Sequence, residues 1–519
     1  MLLLFFLTLP LADAVPLPSA GGYRGSWKKS TGGRVFAAFH GIRYAQPPTG
    51  LLRFQDPVLD VNVSQIEGDV PECIQVNFID DDVQGDEDCL FLNVYSPSVT
   101  CDGMDPRRCI FKRIEQVRRL RAADADGPRC RRRHVQLPSR SSRYAFDIQF
   151  KNSSEAISAG FASLEGPELP GDYGLKDQRA AVDWVMRNIA MFGGDPGLIT
   201  VAGHSAGAVG ALHLAHLDER IKRCIALSGT RYSPWGLSDD FRVRNNTKRL
   251  FRGLNCTDLA CLKRADEKDL ILTAKNSLYT WDRLLLPYRP VVDGGLIKTD
   301  PWSGGTERNF SLLIGVTRDE ADFLSVFLQS WDDEWKNTMF RLFLDEIAMV
   351  DRMAGPEKKN ALERIDEFYW RRGPDRIVEL VSDSSFLFPA TAEAIGHKGD
   401  LHAFMFAYKS RLPYMLGAAE RIGHRVAHGD ELPFLFDSRD CPLGDDSSYK
   451  DISTRLTDTI VRFIKGLDPG LKSWKEDQEI FSVKDALYDP EEYKDIDENI
   501  YERMHFWKSL NFLKRNSPN

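Results

Sequence analysis

LITVAGHSAGAVGALHLA, residues 198–215, is the stretch whose reading decides the fold. An apolar, β-branched run ends in Gly203. A serine follows between two glycines, and the chain continues in small residues that tolerate a helix. A strand that turns sharply into a helix leaves the side chain at the turn standing above a sheet. Gly203-His204-Ser205-Ala206-Gly207 fits G-x-S-x-G. The pentapeptide alone says little, because glycine and serine are common and a glycine-rich βα turn reads the same way. The strand before it and the helix after it make Ser205 the candidate nucleophile. The Ala206 N–H then lies at a helix N-terminus and faces the place where an oxyanion develops.

Outward from this elbow the pattern repeats. DYGLKDQRAAVDWVMRNIAMFGGDP (172–196) has helical spacing and stops at Gly193-Gly194. EDCLFLNVYSP (87–97), KRCIALSGT (222–230) and SLLIGVTRDE (311–320) read as buried strands, and GRVFAAFHGIRYAQPPTGLLRFQDP (33–57) as a strand followed by turns. Strands alternating with helices predict an α/β protein. Its central sheet should be mixed but mostly parallel, with helices on both faces. No repeat is present.

A serine hydroxyl is a weak nucleophile until a base takes its proton. Among ten histidines, His428 sits in the polar loop AHGDELP (427–433). A lone histidine is more often structural, so position alone decides nothing. In this fold order the acid falls between Ser and His. Glu320 qualifies, at the end of an apolar strand where such sheets build their sites. Asp319 competes with it; the bland reading of either is a solvated turn charge.

The chain has 519 residues, 68 basic against 76 acidic, and a net charge of −8. It is 42% hydrophobic and 28% charged, which marks a globular protein and gives no global basicity for nucleic acid. MLLLFFLTLPLADA (1–14) reads as a signal peptide cut after Ala14, too short to span a bilayer. No later run is long enough to anchor the chain in a membrane, so the expectation is secretion. One domain is expected over 15–519. Secretion permits disulfides among nine cysteines, of which at least one stays unpaired within the chain. Sequons begin at Asn62, Asn152, Asn245, Asn255 and Asn309; Asn62, Asn245 and Asn309 are the glycosylation candidates, and Asn255 is the poorest acceptor if Cys256 is paired.

GRVFAAFHGIRYAQPPTGLLRF, EDCLFLNVYSP, LPGDYGLKDQ, FGGDP, GHSAGA, IGVTRDEADF and AHGDELPFLF, taken together and in this order, resemble the type-B carboxylesterase family, which includes insect carboxylesterases and cholinesterases. The resemblance covers nearly the whole chain outside 99–158. It implies the α/β-hydrolase fold and a catalytic triad of Ser205, Glu320 and His428. Ala321 replaces the glycine that usually follows the acid. The resemblance also implies disulfides Cys73–Cys89 and Cys256–Cys261, no metal and no cofactor. The partner implied is a small-molecule ester; oligomeric state is not legible. The Cys73–Cys89 loop, IQVNFIDDDVQGDED, is short and lacks the tryptophan that holds choline in cholinesterases. Juvenile-hormone esterases typically have Gln before the serine, where this chain has His204. The other class of reading is a catalytically impaired, neuroligin-like binding protein, although all three triad residues are kept.

One segment does not fit. About twenty residues past EDCLFLNVYSP the family places H-G-G-G or H-G-G-A, its main oxyanion donors. This chain instead has CDGMDPRRCIFKRIEQVRRLRAADADGPRCRRRHVQLPSR (101–140). A basic loop for a polyanion or a disordered insert are the literal readings. Reading the codons from Val99 one base later is more productive. Met104-Asp105 must then give Trp, and the neighbours permit Leu-Pro-Val-Met-Val-Trp-Ile-His-Gly-Gly-Ala-Phe. The same shift over RRHVQLPSR permits Val-Thr-Phe-Asn-Tyr-Arg-Leu-Gly. Residues 99–140 are therefore expected to be a frame-shifted esterase segment. Residues 141–158 are expected to be intron-derived, because the family pattern resumes at GFAS (160–163). The polypeptide as written would lack its oxyanion hole and be inactive.

Overall fold

The computed structural model describes residues 17–510 and 512, apart from 31–32, 61, 77–81, 98–159, 165, 239, 277–287, 304–307, 346, 348–349, 351–352, 354, 410–424, 437–446 and 472–492. The expected signal peptide, the segment 99–158, Asn152, Cys101, Cys109, Cys130 and Cys441 all lie outside the described residues.

Two short antiparallel pairs, Ser19–Ala20 with Tyr23–Arg24 and Gln75–Val76 with Val83–Gln84, accompany a three-stranded antiparallel sheet of β1 (Ser26–Lys29), β2 (Val35–Arg43) and β3 (Phe91–Ser96), in the order β1-β2-β3. Helix α1 (Tyr173–Asn188) follows. Then come β4 (Ile199–His204), α2 (Ala206–Leu217), β5 (Ile221–Leu227) and β6 (Ser311–Thr317). Helices α3 (Arg376–Ser382) and α4 (Phe388–Gly396) lead to β7 (Leu401–Phe406), and α5 (Ser447–Ile464) and α6 (Tyr493–Ser509) complete the elements used below. Strands β4 to β7 form a second sheet in the order β7-β6-β5-β4, and every pairing in it is parallel.

Parallel strands need both faces covered, and the side chains divide accordingly. Cys224 and Ala226 of β5, Leu312, Ile314 and Val316 of β6, and Leu401, Ala403 and Met405 of β7 join one apolar cluster. They meet residues of α2, α3, α4 and α6, including Leu212, Leu380, Ala392 and Trp507. The intervening Ile225, Leu227, Leu313, Phe404 and Phe406 face the other way, onto Ile452, Leu456, Ile460 and Phe463 of α5. The chain is thus an α/β protein with helices on both faces of its parallel sheet. A third cluster joins Phe39, Ile42, Leu92 and Val94 of β2 and β3 to Trp184 and Val185 of α1. Among the described residues no strand pairing joins the two sheets.

Cys73–Cys89 and Cys256–Cys261 form disulfides, and Cys224 is free and buried in β5. The first closes a loop with a sequence separation of 16, worth about 3 kcal/mol through the unfolded chain. Asn62, Asn255 and Asn309 are exposed, while Asn245 is half-buried on the helix Asp240–Gly253.

Candidate active site

Ser205 sits between β4 and α2 with φ 56° and ψ −123°. A side chain rarely adopts positive φ, and holding it there costs of order 1–3 kcal/mol. The surroundings fix it. The Ser205 N–H donates to the Leu227 carbonyl at 2.8 Å, and its own carbonyl accepts from the Ala208 N–H at 3.0 Å. Close backbone approach explains two glycines. A Cβ at Gly203 would lie 2.0 Å from the Gly207 carbonyl oxygen, and one at Gly229 would lie 2.3 Å from the Ser205 carbonyl oxygen. Nothing among the described residues crowds Gly207. The crowding is therefore borne by the first glycine of the pentapeptide and by Gly229, which the motif does not include. Ala206 is the first residue of α2, where helix geometry leaves backbone N–H groups without an intrahelical partner.

At the end of the neighbouring β6, the chain enters a 3-10 turn at Glu320. Glu320 is fully buried. Its Oε1 accepts the Thr317 N–H at 2.8 Å, and its Oε2 lies 2.7 Å from Nδ1 of His428. The backbone adds a second tie, from the His428 N–H to the Glu320 carbonyl at 3.0 Å. Asp319 turns elsewhere: its carboxylate accepts from Arg318 Nε at 2.7 Å and from the Val426 N–H at 3.2 Å. The structure thus brings Glu320, not Asp319, to the imidazole. Ala321 is buried in the large apolar cluster, and its N–H donates to Ser382 Oγ at 2.9 Å, so the departure from glycine is accommodated. Among the described residues no hydrogen bond joins the Ser205 hydroxyl to His428; apo sites often leave this contact long.

The His428 ring, 5% exposed, is walled by His204 with centroids 4.4 Å apart and by Phe386 at 4.9 Å. Phe386 lies in a π-helical turn, Asp383–Leu387, and also meets Trp235 at 4.8 Å. The sequence singled out neither Phe386 nor Trp235. A π-turn inside α3–α4 leaves no compositional signature, although such turns gather at functional sites. Among the described residues no group of three or more His, Cys, Asp or Glu side chains is placed to hold a metal. A cavity of about 150 Å³ is lined by Tyr44, Arg53, Glu87, Asp177 and Gln178 among others, and by none of the three candidate triad residues.

Against this geometry, comparison with known proteins is informative. A profile of the carboxylesterase family matches residues 12–109 and 158–505. The chain belongs to the carboxylesterase family. It is 26% identical over 475 residues to the acetylcholinesterase of Bungarus fasciatus, covering 82% of this chain and 73% of that one. It is 27% identical over 505 residues to the cholinesterase of Mus musculus, covering 89% and 78%. It is also 27% identical over 462 residues to neuroligin-2 of Rattus norvegicus, covering 77% of this chain but only 53%, about half, of that protein.

Proposed function

We propose that this sequence encodes a secreted serine carboxylic-ester hydrolase of the α/β-hydrolase fold. One observation carries the reading: a fully buried Glu320 held 2.7 Å from His428, across 108 positions of sequence, in a chain whose Ser205 has a strained elbow conformation. Ser205 attacks the ester carbonyl as His428 accepts its proton. Glu320 fixes the ring so that Nδ1 carries the hydrogen and Nε2 stays free as the base, then steadies the imidazolium. The alcohol leaves with the proton returned by His428, and water cleaves the acyl-enzyme by the same route. No metal or organic cofactor enters the scheme. Two disulfides support an oxidising destination; among the described residues no helix is long and apolar enough to cross a membrane. A fluorophosphonate should label Ser205, and Ser205→Ala should abolish labelling and cut ester turnover by about 10⁶. Labelling that persists in the variant removes Ser205 from the mechanism.

The second reading, a catalytically impaired binding protein like the neuroligins, draws on the 27% identity to neuroligin-2, no lower than to the enzymes. It draws also on the missing His-Gly-Gly motif. The frame-shift reading of 99–140, with 141–158 intron-derived, answers the second point. It is supported over 110–157 by the family match, which stops at 109 and resumes at 158. It is supported too by two open strand edges. Among the described residues β3 pairs only with β2, and β4 only with β5. Strand β4 is only half-buried although β5 and β6 beside it are mostly buried. Ile199 of β4 touches both the cluster under β2 and β3 and the cluster under the parallel sheet. Two restored apolar strands would fit between these edges and join the sheets.

A further inference from the structure

Next to His428 the structure holds a second imidazole–carboxyl pair that the triad does not use. His204 Nε2 lies 3.7 Å from Glu431 Oε1. Glu431 is 2% exposed, and neither His204 Nε2 nor Glu431 Oε2, both sealed from solvent, has a hydrogen-bond partner. The unpartnered imidazole nitrogen thus lies 3.7 Å from one oxygen of a carboxyl whose other oxygen is unpartnered too, and a small turn of either side chain would close a hydrogen bond between them. The chemistry of the pair follows from its neighbours. The groups that bear on it are Glu320, His428 and Asp430. Burial and His428 hold the His204 ring well below the usual histidine range. Burial, Glu320 and Asp430 hold the Glu431 carboxyl well above the usual carboxylate range. Both shifts favour the uncharged forms, a neutral imidazole and a carboxylic acid, which match as acceptor and O–H donor.

We propose that His204 and Glu431 are positioning residues for His428: Glu431 donates its hydroxyl proton to His204 Nε2, and the ring so fixed backs the catalytic imidazole. The contact that transmits this is the 4.4 Å ring packing at an interplanar angle of 39°. A neutral His204 adds no positive charge where the imidazolium must form, and a neutral Glu431 adds no second anion beside Glu320. The proposal rests on the esterase reading for its function but not for its chemistry.

The test uses the full chain encoded by the tissue transcript. Glu431→Ala and His204→Ala should each lower kcat by about tenfold to a hundredfold with little change in KM. The double variant should be no worse than either alone. Glu431→Gln keeps an N–H donor and His204→Gln keeps an acceptor, so each should recover most of the loss. Glu431→Gln should also leave the acidic limb of the kcat/KM profile within about half a pH unit, because a neutral group replaces a neutral group. If Glu431 acts as an anion, its replacement by Gln costs as much as Ala and the limb moves down by about one unit; that result overturns the proposal. So does a set of variants that lower only thermal stability. Should the parent enzyme turn over no ester, the esterase reading fails separately. Histidine ring ¹⁵N shifts then decide the pair: a neutral His204 at pH 7 with a hydrogen-bonded Nε2, lost in Glu431→Ala, upholds it, and a cationic His204 overturns it.

Discussion

Glu320 and Asp319 differ by one position and one methylene, yet their surroundings assign them different work. Glu320→Gln keeps the shape but not the charge, and it can present an N–H to the ring and turn it to the wrong tautomer. Turnover should fall by about 10⁴. Asp319→Asn removes part of a contact to Arg318 and Val426 and should cost about 1–2 kcal/mol of stability with turnover within tenfold. Steady-state kinetics on both variants checks this; a larger kinetic loss at 319 moves the acid to that position. The local residues placed both acids at a strand end and left the choice open, and only the family resemblance favoured Glu320, because the choice lies in which carboxylate the turn after β6 aims at residue 428. Ser205 was legible for a local reason: its motif records the close approach of Gly203 to Gly207. In the sequence Glu431 is only a near neighbour of His428. Its orientation toward His204 depends on the turn after Gly429, which composition does not encode.

At the scale of elements, the parallel strands and their flanking helices were legible because β-branched runs and helical spacing are local. The separation into two sheets was not, since pairing across it depends on partners far along the chain. The cavity beside β3 bears on this. Asp177, on α1, lines it without a hydrogen bond or ion pair among the described residues, while Arg53 is taken by Glu87 at 2.6 Å. Burial, with Asp56 adding to it, pushes the Asp177 carboxyl up to about 8. An acid whose folded value is raised binds its proton more tightly when folded, so stability is lost as pH rises from about 4 through 8. Asp177→Asn should therefore raise the denaturation midpoint at pH 8 and leave it nearly unchanged at pH 4, read by chemical denaturation at both. Equal effects at the two pH values would mean that folding leaves the Asp177 pKa unshifted.

The whole molecule raises the question of which chain the gene makes. Transcript from the source tissue should encode His-Gly-Gly-Ala in place of part of 99–140, and the arginine-rich peptides should be missing from a digest of the native protein. Losing even one oxyanion donor costs on the order of 10²–10³ in turnover. A soluble enzyme that retains the written segment and hydrolyses esters at ordinary rates ends the frame-shift reading. The motifs gave the family, but no motif spells out Phe386, packed against His428, or Trp235, packed against Phe386.

Cys224 offers a clock for that molecule. Its thiol is fully buried in the middle of the parallel sheet, and burial raises its pKa well above the ordinary thiol value. An alkylating reagent can reach it only when the sheet itself opens, so the rate at which the peptide 222–230 acquires the label reports the frequency of global opening. If restored strands stitch the two sheets together, that clock should run slower in the transcript-encoded enzyme than in the chain as written, by a factor that measures what the stitching adds.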